Sequence, residues 1–288
     1  VTDPHSAGQH PADPGTAEHR GGDPRDGMGA EALLAEALRS EALLSEAATP
    51  AATEPISGAV VITGTDTGVG KTIVTAAIAA AATAAGRRVA VVKPAQTGTA
   101  DGDEPDAATV ARLAEPVTVR TLASFPDPLA PLAAARVAGD DPLTAVMAQL
   151  ALRTIIEEHD ITLIEGAGGL LVPMGEGGWT VLDLAAALGA TAVVVARAGL
   201  GTLNHTALTL RALAHRDVPA AVVIGAWPAE PQLVHRTNLH DLAGDLVGAV
   251  PEGAGALTPA LFRREAPHWL APLLHGRFDP VAFRSHSR

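Results

Sequence analysis

Residues 59–72 read AVVITGTDTGVGKT: a short aliphatic run, a glycine-rich turn, and a Lys-Thr pair at the head of an alanine-rich stretch. The aliphatic run has the length and β-branched content of a buried strand, and the residues from Lys71 onward have those of a helix. A strand, a Gly-rich turn and a helix N-terminus in that order form a phosphate cradle. Glycines let backbone N–H groups converge on an anion, and the helix dipole reinforces their field. Gly64, Thr65, Asp66, Thr67, Gly68, Val69 and Gly70 make up the loop. Lys71 is placed to reach the β- and γ-phosphates, and the Thr72 hydroxyl to ligate magnesium. Gly64 and Gly70 enclose five residues, one more than the strict spacing of this motif.

Outward from the loop the same alternation repeats. Aliphatic runs at 59–63, 89–92, 161–164, 191–196, 220–225 and 247–250 read as strands. Helical segments are expected at about 71–85, 104–114, 142–158, 203–216, 231–245 and 259–273. The expected fold is therefore α/β, a P-loop NTPase fold with a mostly parallel sheet and helices on both faces. Residues 1–30 are rich in Pro, Gly, His and Asp and carry too little apolar surface to offset the entropy of ordering them. A largely disordered N-terminal tail over 1–57 is expected, with a short helix at 31–46 (EALLAEALRSEALLSE). The tail has neither the apolar core of a signal peptide nor the Arg-rich character of a transit peptide. Its first residue is Val and Met28 offers a second start, so the tail is expected to be dispensable. The domain is expected over 58–275, followed by a polar C-terminal tail over 276–288.

Composition narrows the function. Of 288 residues 47% are hydrophobic but only 2% aromatic, so the core is built from Ala, Val, Leu and Ile. With no Cys, disulfides, thiolate metal sites and a Cys nucleophile are excluded. A net charge of −12 argues against a nucleic-acid partner held through phosphates and against an anionic membrane surface. No apolar run reaches the roughly 18 residues that suggest a membrane span, and a cytoplasmic protein is expected. Among 20 basic residues only Lys71 and Lys93 are lysines. Where any surface cation serves, this chain uses Arg, so both lysines are expected where a compact ammonium is needed rather than a planar fork.

Lys93 ends the second strand, in VVKPAQTG, and ligands of open parallel sheets bind beyond the carboxyl ends of the strands. Thr97 adds a nearby hydroxyl. Glu165 ends the strand at 161–164 and precedes Gly-Ala-Gly-Gly, where an acid reaches magnesium and glycines admit a substrate to the backbone. Asp106 reads equally as a second magnesium-side carboxylate or as part of an acidic helix start with Asp103 and Glu104. Asn204 and His205, after GLGTL, open a helix that reads equally as a second anion site or as a plain capped helix.

Taken in order, GTDTGVGKT, KPAQTG, EGAGGLLVP and GTLNHTALT resemble the dethiobiotin synthetase family from about Val60 to Ala226, and more weakly to about residue 273. The five-residue loop spacing is that family's own variant. The resemblance implies an ATP- and magnesium-dependent ligase that adds CO2 or bicarbonate to 7,8-diaminononanoate. A carbamate is phosphorylated to a carbamic–phosphoric anhydride, and the neighbouring amine closes a cyclic urea. It further implies Thr72, Asp106 and Glu165 around magnesium. Lys71 and Lys93 would act on the γ-phosphoryl group and the carbamate, with Thr67 donating to them. Thr97 and Gly168 would contact substrate, as would Leu200, Gly201, Leu203 and Asn204 at a helix start contributed across a homodimer interface. After the late strand, where many members carry an Asn-containing segment beside the base, this chain has Gly225-Ala226-Trp227-Pro228. Trp227 and Pro228 offer the base either a flat face or a backbone edge, which opens ATP preference to another nucleoside triphosphate such as CTP.

Two rivals share the loop. A glutamine-dependent amidoligase of the cobyrinate type needs a Cys-bearing glutaminase module, and this chain has no Cys. A ParA/MinD-like ATPase acting as a nucleotide switch carries a lysine early in its loop, where this chain has Gly64-Thr65-Asp66.

Overall fold

The computed structural model describes residues 54–100, 102 and 104–286, so nearly all of the expected tail, including the candidate helix at 31–46, lies outside the described residues. Seven strands form a single sheet: β1 (Gly58–Gly64), β2 (Val89–Gln96), β3 (Thr118–Ser124), β4 (Ile161–Gly169), β5 (Thr191–Ala196), β6 (Ala220–Trp227) and β7 (Leu246–Pro251). Their order is β3-β2-β4-β1-β5-β6-β7, and every pairing is parallel. Parallel strands need long crossovers, which the helices supply.

The aliphatic runs work because successive side chains point to opposite faces. Val60, Ile62, Leu163, Val193 and Val223 enter one buried layer. It is closed by α1 (Lys71–Ala84), α2 (Asp106–Ala114) and α8 (Pro259–Trp269). Val61, Ile164, Val194 and Val222 enter the other layer. That one is covered by α3 (Pro131–Ala138), α4 (Ala145–Glu158), α5 (Val181–Leu188), α6 (Thr202–Ala214) and α7 (Leu233–Asp241). Buried alanines from Ala76 to Ala82 let α1 lie close against the sheet next to the loop it follows.

Four elements, one of them in the C-terminal segment, had no counterpart in the sequence reading. β3 is an edge strand, TVRTLAS, whose half-exposed residues lack an apolar run. α3 is short, begins at Pro131 and stops where Gly139 turns left-handed. α5 carries a capping box: Asp183 Oδ2 accepts from the Thr180 N–H at 2.9 Å while Thr180 Oγ1 accepts from the Asp183 N–H at 3.4 Å. The segment over 276–288, expected as a polar tail, carries structure in its described residues. It contains α9 (Pro280–His286), with Phe278 and Phe283 packed on the core and on each other at 5.0 Å. Two aromatic side chains in a chain so poor in them are enough to dock the segment.

The start of the sheet is knotted at Asp160. Its Oδ2 accepts from the Arg88 N–H and its Oδ1 from the Arg88 guanidinium, both at 2.8 Å, and its carbonyl accepts from Gly58 N–H at 2.9 Å. These bonds align the first residues of β1, β2 and β4. The Arg88 hydrogen bonds lower the Asp160 pKa to about 2 from the ordinary 3.8. Because the folded value lies below the unfolded one, the stabilisation is complete above about pH 4 and is lost as the pH falls through about 2. Carboxyl titration by NMR is expected to give a midpoint near 2 for Asp160, and Arg88→Ala should return it toward the ordinary range. A midpoint near 3.8 in the unaltered protein would refute the knot.

Candidate active site

The phosphate loop leaves the centre of the sheet between β1 and α1, with β4 and β5 as β1's neighbours. Gly70 caps α1 in a left-handed conformation at φ 97°, which turns the chain into the helix at Lys71. The back of the loop rests on the end of β6. A Cβ on Gly225 would lie 1.9 Å from the Val69 carbonyl oxygen, and one on Gly70 would lie 2.7 Å from the Gly225 carbonyl oxygen. Two backbones touch there, and no side chain fits between them. The Thr65 N–H adds a bond to the Val195 carbonyl at 3.0 Å, so the loop is seated on both β5 and β6.

Beyond the strand ends lies a cavity of about 420 Å³. Its lining brings together Thr67, Gly68, Gly70, Lys71, Thr72, Lys93, Thr97, Asp106, Glu165 and Gly168, all of them expected site residues, along with Ile73, Ala95, Gln96 and Ala167. At its base, the Thr72 hydroxyl lies 2.8 Å from Asp106 Oδ1 and 2.9 Å from Glu165 Oε1. Lys93 Nζ lies 2.6 Å from Asp106 Oδ2, 3.0 Å from Glu165 Oε1 and 2.9 Å from the Gly166 carbonyl oxygen. Four elements therefore meet at one cluster: α1, α2, β2 and β4.

Lys93 and Glu165 are almost fully buried, with side chains 6% and 2% exposed. Burial alone would lower the Lys93 pKa, but the charges and hydrogen bonds of Glu165 and Asp106 outweigh it, so the pKa stands above the ordinary lysine value. Burial pushes the Asp106 pKa upward, but the Lys93 charge and the hydrogen bonds with Lys93, Thr72 and Glu165 together outweigh it, so the pKa lies below the ordinary value. Lys71 differs. Burial and then repulsion from Lys93 lower its pKa, and its ammonium donates to the Asp66 carbonyl at 3.0 Å.

The donor set fits magnesium. A hydroxyl and two carboxylates converge as hard oxygen ligands, and magnesium characteristically takes one or two carboxylates and completes its shell with water and phosphate oxygens. Among the described residues no cluster of three or more His, Cys, Asp or Glu is close enough to hold a metal by itself, in keeping with that mode. Asp106 begins α2, as one of its two sequence readings has it, and its carboxylate turns into the cluster.

The remaining expected residues lie elsewhere. Leu200 is 85% exposed, Gly201 caps α6 in a left-handed conformation, and Leu203 and Asn204 sit on the first turn. None of the four lines the cavity. Trp227 and Pro228 do not line it either. The expected flat indole face is engaged within the chain, in edge contacts with Phe283 at 5.2 Å and His235 at 6.3 Å. Sequence reading missed Arg197, which pairs with Asp66 at 2.9 Å across the mouth of the loop, and Gly225, whose role depends on a contact 156 residues away along the chain. An Arg directly after an aliphatic strand was the available signal for the former.

The strand order, the loop and the hydroxyl–carboxylate–ammonium cluster define a P-loop nucleotide-binding α/β protein. The AAA domain family model matches residues 58–256. The chain is 53% identical over 229 residues to the ATP-dependent dethiobiotin synthetase BioD of Streptomyces coelicolor, covering 78% of this chain and 96% of that protein. It is 54% identical over 225 residues to the protein of the same name from Saccharopolyspora erythraea, covering 76% and 98%. The chain belongs to the dethiobiotin synthetase family. A solved MinC–MinD complex from Aquifex aeolicus aligns over 80% of the chain and 96% of its own, at 15% identity and a TM-score of 0.44, a likeness too slight to bear on function.

Gly225→Ala tests the seating of the loop. The added methyl meets the Val69 backbone and, at 2.6 Å, the Val195 side chain, and overpacking of this kind costs about 1–3 kcal/mol. We expect a lower melting temperature together with weakened nucleotide binding by calorimetry. Unchanged nucleotide affinity would separate Gly225 from the loop.

Proposed function

We propose that the protein is an ATP-dependent ligase that makes dethiobiotin from 7,8-diaminononanoate and CO2, releasing ADP and phosphate. The observation that carries this reading is the convergence of Lys71, Thr72, Lys93, Asp106 and Glu165 on one cavity beside a phosphate loop. Relatives bearing the name ATP-dependent dethiobiotin synthetase at 53% and 54% identity support the choice of reaction.

The chemistry follows from charge. One substrate amine attacks CO2; an N–C bond forms, a proton leaves, and a carbamate results. A carbamate oxygen then attacks the γ-phosphorus of ATP and ADP departs, leaving a carbamic–phosphoric anhydride. The second amine attacks the carbonyl carbon and phosphate leaves, closing the cyclic urea. Both amines sit on one short chain, so closure is effectively unimolecular, an advantage that can reach roughly 10⁵ M in effective molarity. Each step gathers negative charge on oxygen, and two buried ammonium groups face it. Lys93 counters the carbamate and the transferring phosphoryl group, and Lys71 the β- and γ-phosphates. Thr67 and Thr97 donate hydrogen bonds. Magnesium, held by Thr72, Asp106 and Glu165, supplies charge neutralisation for the phosphate oxygens. Gly168 keeps the wall low: its backbone is left-handed at φ 65°, and a Cβ there would lie 3.0 Å from the Val172 side chain. ATP is the expected nucleotide. The Ala226–Pro228 backbone edge is what remains for the base, which makes CTP the second nucleotide to measure. A reaction drawing on ATP and bicarbonate belongs in the cytoplasm, and among the described residues no helix is long and apolar enough to cross a membrane.

Phosphate release with Mg-ATP and bicarbonate is expected to require the diamine and to accompany dethiobiotin formation. Lys93→Ala should lower kcat by about 10²–10³ while the protein stays folded. Release indifferent to the diamine, with ATP and CTP alike, would leave only a P-loop nucleotide binder.

The substrate site is proposed to be shared in a homodimer. Leu200, Gly201, Leu203 and Asn204 lie off the cavity of their own chain, and Val146, Met147 and Leu150 expose an apolar strip of α4 at 66%, 60% and 62%. A partner's α6 start would then hold the substrate carboxylate. Light scattering should report twice the chain mass. Mixing inactive Lys93→Ala and Asn204→Ala proteins should restore activity, because a mixed dimer regains one intact site. Failure of mixing between variants that exchange subunits would place each site within one chain.

A further inference from the structure

We infer that Gln96 is a positioning residue that holds Asp106 in the magnesium-side cluster, an inference that rests on the proposed role of Asp106. The first amides of an α-helix have no intrahelical acceptor and need a cap. For α2 the preceding residue is Pro105, which offers no side-chain acceptor, and no local side chain caps the helix. The acceptor comes instead from the end of β2: Gln96 Oε1 takes the Asp106 N–H at 3.1 Å. The other end of the same amide is used as well, because Gln96 Nε2 donates to the Thr97 carbonyl at 3.0 Å. Only a carboxamide supplies both an acceptor and a donor at that reach, and only one orientation of it satisfies both partners. The Gln96 carbonyl accepts from Phe125 N–H at 2.9 Å, so the residue is itself anchored to the strand edge.

The consequence is geometric. Asp106 reaches Thr72 at 2.8 Å and Lys93 at 2.6 Å, and a displacement of about 1 Å breaks contacts of this length. Gln96 ties the first residue of α2 to the strand that carries Lys93, and so fixes Asp106 relative to Lys93. It lines the cavity and acts through Asp106 and Thr97.

The test compares Gln96→Leu, Asp106→Asn and the double variant in the full chain. Three readouts are taken: amide hydrogen exchange at Asp106 without nucleotide or metal, Mn²⁺ affinity for the complex with a non-hydrolysable ATP analogue by EPR, and analogue affinity without metal. Gln96→Leu should speed Asp106 amide exchange and weaken Mn²⁺ binding about three- to tenfold, the worth of one or two hydrogen bonds. Metal-free analogue affinity should stay within about twofold, and in the Asp106→Asn background the substitution should change Mn²⁺ binding by less than about twofold, since effects routed through one residue are not additive. If Asp106→Asn weakens Mn²⁺ binding and Gln96→Leu does not, or if the Gln96→Leu effect persists undiminished without the carboxylate, the inference is overturned and the role of Asp106 stands. If Asp106→Asn leaves Mn²⁺ binding unchanged, both fall. Should Gln96→Leu fail to fold, Gln96→Asn, one methylene shorter, must show the same pattern in the same direction.

Discussion

The cluster of Thr72, Lys93, Asp106 and Glu165 is the constraint on which the rest of the architecture depends. Ionised groups this deeply buried persist only when paired and hydrogen-bonded, and removing one partner of such a set typically costs 3–5 kcal/mol. Each member comes from a different element. β2 must end at the level of β4 for Lys93 to meet Glu165, which the register pairing Val92 with Ile164 provides. α1 must begin at Lys71 for Thr72 to face both acids, and the left-handed Gly70 sets that start. The Asp160 knot at the other end of the sheet fixes the same three strands in step. Fold and site are thus specified by one set of contacts.

Much of this was legible in the sequence because its signals were local. The phosphate loop, Lys93 at a strand end and Glu165 before its glycines each combine a residue type with a position that short-range patterning reveals. Five of the seven strands are interior and read as aliphatic runs because both faces of an interior parallel strand are buried; β7, at one edge, is an aliphatic run that is buried as well. β3 escaped that reading at the edge of the sheet, where half its side chains meet solvent. α5 was legible in principle, since Thr180 and Asp183 carry the spacing of a capping box. Gly225 and Gln96 could not be read in this way. The requirement on Gly225 is a backbone approach from a loop remote in sequence. Gln96 is distinguished by what lies at both ends of its amide, and a lone glutamine at a strand end has no spacing to betray it.

Trp227 shows how the surroundings of a residue enter its reading. An aromatic beside a nucleotide pocket suggests stacking on a base. In this chain the late C-terminal segment brings Phe283 against the indole, and the aromatic surface is spent on docking α9. Trp227 ends β6, beside the edge strand β7, and these contacts leave it half-buried.

The choice of lysine over arginine at position 93 follows from the same geometry. An ammonium has three donors and no acceptor, and Lys93 spends them on Asp106, Glu165 and the Gly166 carbonyl within 2.6–3.0 Å. These acceptors surround a point, whereas a guanidinium presents five donors in a plane and would need a wider, flatter cage. The saturation also bears on chemistry. On the proposed reaction, a carbamate or phosphoryl oxygen that engaged Lys93 would take over a bond now made to the protein, replacing one buried interaction with another instead of desolvating a free charge. The two carboxylates keep the ammonium ionised and aimed at the cavity before substrate arrives, and the electrostatic field is organised in advance of the charge it has to meet.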